Sequence, residues 1–216
     1  DILAGVEVGY QSHLKEEIEN ILASNPFDFV LCSTHSVDEI SVSGPKYFKG
    51  LSKKEAYTKY FETMLKTVKE FKNFDLNKYE EIVFCGYGEP LVRIHEVIEV
   101  AKFIKSQSDV KIRINTTGIS DLIHNEENTA RLLVGCIDAI SISLNAPTAE
   151  EYVKVTRPKF GTEAFYAMIE FAKYVKENIG DVAFSVVNVI NDEQIERCKS
   201  LADEMGIPLR VREKEE

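Results

Sequence analysis

Tyr79-Glu80-Glu81-Ile82-Val83-Phe84-Cys85-Gly86-Tyr87-Gly88-Glu89-Pro90 passes from a charged start through a continuous apolar stretch into a glycine-rich turn. Ile82, Val83, Phe84 and Cys85 show no polar alternation, and such a run fits a parallel strand covered on both faces. Glycines at its end let a ligand approach the backbone, while Glu89 offers oxygens that accept hydrogen bonds, as from a bound ammonium. Residues 93–107 then repeat apolar side chains at helical spacing. The segment is one βα unit.

The unit recurs in both directions. The pattern predicts strands at 2–8, 27–33, 81–86, 110–115, 139–144, 183–189 and 209–211, and helices at 14–23, 53–71, 93–107, 163–178 and 192–205, with a less regular crossover at 125–134. Tyr57, Tyr60, Phe61, Met64, Leu65, Val68 and Phe71 form one helical stripe. Ser52 with Glu55 resembles a capping box, and Gly206 followed by Pro208 is a stop for the last helix. Strand, helix and parallel strand in repetition imply an α/β fold of seven mostly parallel strands, a TIM-barrel-like sheet that is closed, open or partial.

No Pro/Gly/Ser linker divides the 216 residues, so one barrel-like domain, 1–216, is expected. Within it, sub-segments 1–75 and 76–216 differ in motif content on either side of Asp75. Residues 36–50, with Gly44-Pro45 and Gly50, form the one long loop. It follows a strand end, where parallel α/β folds gather ligands, and reads as a substrate cover or as an ordinary connection.

A hydrophobic content of 44% with 29% charged residues leaves enough apolar surface for a sizeable core. The net charge of -10, with basic residues scattered, provides no footprint for a phosphate backbone, so no nucleic-acid partner is expected. No apolar run is long enough to span a bilayer, and no membrane partner or secretion signal is expected. Cys32, Cys85, Cys136 and Cys198 lie far apart, mostly in apolar runs, as buried reduced thiols of a cytoplasmic protein do. An uncovered sheet edge would permit a homodimer.

Glu7 closes the first strand and His35 lies just past the second. Neighbouring parallel strands are ~4.8 Å apart, so these two side chains could reach a common divalent ion such as zinc or manganese. Two ligands fall short of the three or four that zinc sites use. His13, after Gly9-Tyr10-Gln11-Ser12, reads as a solvated loop residue.

Gly5-Val6-Glu7-Val8, Phe27-Asp28-Phe29-Val30 leading to Ser33-Thr34-His35, and Tyr47-Phe48-Lys49-Gly50-Leu51 resemble PHP-family histidinol phosphatases over residues 2–75. The resemblance implies that Glu7 and His35 help hold a multinuclear metal centre that activates water against a phosphomonoester. The family's early His-x-His pair is absent. Leu76-Asn77-Lys78-Tyr79 stands where its Gly-His-x-Asp segment would follow Phe74-Asp75.

Over residues 76–212 a second resemblance takes over. The opening stretch, Ile114-Asn115-Thr116-Thr117-Gly118, Ser141-Ile142-Ser143-Leu144-Asn145-Ala146 and Leu209-Arg210-Val211-Arg212 are similar to the TatD-linked branch of radical SAM proteins. The resemblance implies that Gly88 and Glu89 meet the amino group of S-adenosylmethionine, while Asn115, Ser143 and Asn145 approach its ribose or carboxylate. Asn188, near another strand end, is a further polar candidate. The family's Cys-x3-Cys-x2-Cys motif is missing, since only Cys32 precedes Glu81, and no iron-sulfur cluster is expected. Thr156 stands before Arg157-Pro158 where the family often has Cys.

Two incomplete sites meeting at one junction imply a recombined, engineered chimera: an α/β barrel scaffold with no complete native active site and no required cofactor. A remnant divalent-metal-dependent phosphoesterase and an S-adenosylmethionine-binding module without a cluster are the alternatives. Any activity of the scaffold would be metal-dependent phosphomonoester hydrolysis.

Overall fold

A computed structural model describes residues 4–70, 79–85 and 88–214 of the chain. Two compact units emerge, Asp1–Tyr79 and Glu80–Glu216. The Asp75 junction, the end of the aromatic stripe at Phe71, and Gly86-Tyr87 lie outside the described residues.

In the first unit, β1 (Gly5–Gly9) and β2 (Phe29–Ser33) pair in parallel, with Glu7 opposite Leu31 and Gly9 opposite Ser33. Helix α1 (Lys15–Ser24) connects them, after a 3₁₀ turn in which His13 is exposed as expected. The long loop contains an antiparallel hairpin, β3 (Ser36–Val37) with β4 (Ile40–Ser41). Strands of two residues are too short to show alternation in a sequence. Val37 and Tyr47 from this segment bury themselves against Ala56 of α2 (Lys53–Glu70), and the Tyr47 hydroxyl donates to the Ala56 carbonyl at 2.5 Å. The segment is thus packed onto α2. The Ser52/Glu55 capping box forms, with Ser52 N donating to Glu55 Oε2 at 2.7 Å and Glu55 N to Ser52 Oγ at 3.3 Å.

The second unit is a five-stranded parallel sheet whose strands lie in chain order: β5 (Glu81–Phe84), β6 (Lys111–Thr116), β7 (Ala139–Ser143), β8 (Asp181–Val187) and β9 (Leu209–Arg212). Each of the seven expected strands has a counterpart, and with the β3–β4 hairpin nine strands are present among the described residues. They pair as sheets of two, two and five strands, where the sequence led us to expect one barrel-like sheet of seven. The crossovers are α3 (Ile94–Lys105), α4 (Ser120–His124), α5 (Ala149–Thr156), α6 (Glu163–Asn178) and α7 (Asp192–Met205).

Two crossovers differ from the pattern. The helical crossover expected at 125–134 is instead α4 followed by a 3₁₀ turn at Thr129–Leu133. Asn125 and Asn128 take left-handed backbone, with φ of 50° and 54°, and Asp121 draws in the Asn128 and Thr129 N–H groups at 2.7 and 2.8 Å. A local side-chain cap thereby outcompetes helix propagation. Helix α5 leaves little periodicity in the sequence because its eight residues bury only Ala149 and Tyr152.

The sheet has two unlike faces. Ile112, Ile114, Ile140, Ile142, Phe184 and Val186 point one way and are almost wholly buried. Against β7 and β8 lies α6, which buries Ala164, Phe165, Met168, Phe171, Ala172 and Val175 along one stripe; α7 covers β8 and β9. This layer is the main core. Gly118, in the turn after β6, sits at φ 72° with Ile142, Met168 and Phe171 all 3.3 Å from where a Cβ would stand. Only glycine meets both conditions without strain. Gly206, at φ 60°, ends α7 as its sequence signal indicated.

Candidate functional site

The opposite face of the five-stranded sheet is polar. Strand alternation turns Glu81 and Val83 of β5, Lys111, Arg113 and Asn115 of β6, Ala139, Ser141 and Ser143 of β7, Ser185 and Val187 of β8, and Arg210 and Arg212 of β9 to this side. Glu81, Arg113, Asn115, Ser141 and Ser143 are only partly buried. Parallel sheets normally have both faces covered by apolar packing. A face of amides, hydroxyls and ion pairs is not a surface on which an apolar helix layer packs.

Its charges are mostly organised. Arg113 donates through Nε and Nη2 to Glu81 Oε2 at 2.9 and 2.7 Å, and through Nη1 to Asn115 Oδ1 at 2.6 Å. The guanidinium therefore orients the Asn115 amide, with its carbonyl end engaged and its NH₂ group left to donate elsewhere. Arg113 was overlooked from the sequence. Its signal was the alternation Lys111-Ile112-Arg113-Ile114-Asn115, which puts Arg113 and Asn115 on one face. Lys111 pairs with Asp181 at 2.5 Å, and that hydrogen bond holds the Lys111 ammonium above its usual pKa.

Glu89 sits where β5 gives way to the 3₁₀ turn Pro90–Arg93. Its Oε1 accepts from Leu91 N at 2.9 Å and Thr116 Oγ1 at 2.7 Å; its Oε2 accepts from Thr117 N at 2.6 Å and Thr117 Oγ1 at 2.5 Å. A carboxylate has about four lone-pair sites, and protein donors take all of them here. An incoming ammonium would have to displace Thr116 or Thr117. Thr116 and Thr117 thereby fasten the end of β6 to Glu89, the residue that leads into the 3₁₀ turn Pro90–Arg93. Gly88 beside them has open space where a Cβ would lie.

Ser143 ends β7 on the polar face, and Asn145 follows in a left-handed turn at φ 57° whose N–H, like that of Leu144, points to the Ser185 carbonyl. The structure brings Asn115, Ser141 and Ser143 to one side of neighbouring strands. Asn188 plays a different part: its amide is engaged at both ends, with the Glu213 carboxylate and with Lys214 N. It ties β8 to the segment after β9.

In the first unit, Glu7 and His35 do meet. Glu7 Oε1 accepts from Ser33 Oγ at 2.7 Å and lies 3.0 Å from His35 Nε2. Both side chains are exposed, and the Ser33 and His35 hydrogen bonds hold the Glu7 carboxyl below its ordinary pKa. Gly9 permits the arrangement, since a Cβ there would come within 3.0 Å of His35 Nδ1. Among the described residues, no group of three or more His, Cys, Asp or Glu is placed to hold a metal ion.

Cys136 and Cys198 are buried, burial raising the Cys198 thiol to about 11, whereas Cys32 and Cys85 are exposed. The expectation of buried thiols fails at these two because Cys85 lies past the last paired residue of β5 and Cys32 belongs to a sheet of only two strands. Among the described residues no three metal-ligating side chains gather at one point, so the thiols present do not fit an iron-sulfur cluster, which needs several thiolates together.

Comparison with known proteins gives two signals. The histidinol-phosphatase of Lactococcus lactis subsp. lactis is 35% identical over 127 residues, covering 56% of this chain and 47% of that protein. The dual-specificity RNA methyltransferase RlmN of Wigglesworthia glossinidia brevipalpis is 28% identical over 160 residues, 68% of this chain and 40% of that protein. The chain thus spans about half the length, or less, of these relatives. A crystal structure of a radical SAM methyltransferase from Sphaerobacter thermophilus aligns at a TM-score of 0.44 and 16% identity, over 73% of this chain and 57% of that one. Among the described residues no helix is long and apolar enough to cross a membrane. The sequence profile of the Radical SAM superfamily matches residues 32–205, which is most of the chain and takes in β5, β6, β7 and β8 of the parallel sheet, and the chain belongs to that superfamily.

Proposed function

We propose that the chain is an S-adenosylmethionine-binding α/β module whose own residues supply no iron-sulfur chemistry. The observation that carries this reading is the partly exposed polar face of the parallel sheet, with Asn115, Ser141 and Ser143 side by side, in a Radical SAM superfamily member. The Asn115 amide, held by Arg113, would donate to the cofactor's ribose or carboxylate, and Ser143 and Asn145 would add the hydroxyl and amide of the next strand. Gly88 gives the ligand access to the backbone beside Glu89. The reading keeps to a cytoplasmic protein without nucleic-acid or membrane partners, and homodimers would form through the exposed edge at β9.

A second reading concerns origin. The two compact units divide at Tyr79/Glu80, beside the Asp75 junction, and relatives of both kinds match the chain. These observations favour a recombined chimera of segments 1–75 and 76–216, which we read as engineered. The histidinol-phosphatase similarity covers more of the chain than lies outside 32–205, so the two similarities share residues. On this reading Glu7 and His35 hold a divalent ion weakly and carry a remnant of phosphoesterase chemistry.

Calorimetric titration of the full chain separates the two. With S-adenosylmethionine, saturable heat that weakens about tenfold in Asn115→Ala and in Ser143→Ala supports the module, and a silent titration up to ~1 mM removes it. With zinc or manganese on metal-free protein, heat that disappears in His35→Ala supports the remnant ion site; equal heat in the variant removes it.

A further inference from the structure

Leu209-Arg210-Val211-Arg212 carries a family resemblance, yet neither reading above uses its arginines. Pairing of β8 with β9 sets Ser185 opposite Arg210 and Val187 opposite Arg212, and β7 adds Ser143 opposite Ser185. One row across the polar face therefore reads hydroxyl, hydroxyl, guanidinium, with a second guanidinium one strand repeat further along. Ser185 is 4% exposed, and its carbonyl accepts from Leu144 N at 2.9 Å, which fixes its place in this row.

The other charges on this face neutralise one another: Glu81 with Arg113 and Lys111 with Asp181. Glu213, next to Arg212 in the chain, is engaged by the Asn188 amide. Arg210 and Arg212 are left exposed with no ion-pair partner among the described residues, in a chain whose net charge is -10. Guanidinia on one face of a strand, two residues apart, stand roughly 6.5 Å from each other at the backbone and can bracket one oxyanion. Their planar forks match carboxylate and phosphate oxygens in pairs.

We propose that Arg210, Arg212 and the Ser185 hydroxyl form an oxyanion site at the β8–β9 side of the polar face, which takes the carboxylate or phosphate group of a small ligand. The site needs neither Glu89 nor Asn115, so its failure and that of the cofactor reading are distinguishable.

The test is a calorimetric or NMR titration of the full chain with inorganic phosphate and, separately, with acetate at constant ionic strength. Saturable binding that weakens about tenfold in Arg210→Gln and in Arg212→Gln, and about threefold in Ser185→Ala, is expected. Arg131→Gln, whose guanidinium pairs with Glu126 elsewhere, should bind as the parent does. Stronger binding of phosphate identifies a phosphorylated ligand, and stronger binding of acetate a carboxylated one. The proposal is overturned if neither anion saturates below ~50 mM, or if both arginine variants bind with the parent affinity.

Discussion

Replacing Glu89 by Gln tests whether this carboxylate holds the sheet together before any ligand arrives. Each oxygen accepts one backbone N–H, Leu91 N on Oε1 and Thr117 N on Oε2, besides one hydroxyl. Threonine hydroxyls can rotate to accept from an amide NH₂, but a backbone N–H cannot. Whichever way the substituted amide turned, one of those N–H groups would face another donor. An orphaned donor costs about 1–3 kcal/mol, and the surviving bonds lose the assistance of the charge. Because Glu89 is partly exposed and water can enter, we expect about 2 kcal/mol in total. For a chain of this size, that corresponds to a fall of roughly 4–8 °C in the thermal midpoint. The measurement is thermal unfolding followed by circular dichroism in ligand-free buffer. A double-mutant cycle with Thr117→Val should give a coupling of about 1 kcal/mol. A shift under ~1 °C for Glu89→Gln, with no coupling to Thr117, would refute the structural role of these contacts.

Two further outcomes follow from particular contacts. Gly118→Ala combines a left-handed backbone with three side chains at 3.3 Å, whereas Gly135→Ala, at φ 81°, meets nothing within 4 Å. The first should cost about 2–3 kcal/mol and the second about 1, measured by urea midpoints, and equal costs would remove crowding as the cause. Glu7 has a depressed carboxyl pKa, caused first by the Ser33 hydroxyl and then by His35. Its contribution to stability is therefore present above the unfolded carboxyl pKa and lost as pH falls through the lower folded value. An NMR titration of the Glu7 carboxyl should move toward the ordinary midpoint in Ser33→Ala, and an unmoved midpoint would detach Ser33 from that role.

Much of the fold was legible because its signals are local. Apolar runs such as Ile82-Val83-Phe84 and the stripe ending α7 at Gly206 placed every strand of the parallel sheet and most of its crossovers. Short-range competition misled where one side chain redirected the backbone, as Asp121 does ahead of the 3₁₀ turn, and where strands of two residues carry no period, as at 36–41. The site was legible in its positions more than in its bonds. Glu7 and His35 meet, although Glu7 lies in the middle of β1 and not at its end, while Asn188 and Glu89 turned out to be satisfied by the protein itself.

What the sequence alone determined is the α/β alternation, the polar groups at successive strand ends, and the lack of a Cys-x3-Cys-x2-Cys motif in the 216 residues. Only tertiary structure decided which of those polar groups remain available. Arg113 reaches across to Glu81, 32 residues away, and Glu89 to Thr117, 28 residues away, whereas Arg210 and Arg212 come to rest beside Ser185 with no counter-charge among the described residues. Periodicity records which face a residue occupies. Strand register, set by packing of the whole sheet, selects its neighbour on that face, and a hydrogen bond or ion pair belongs to the pair.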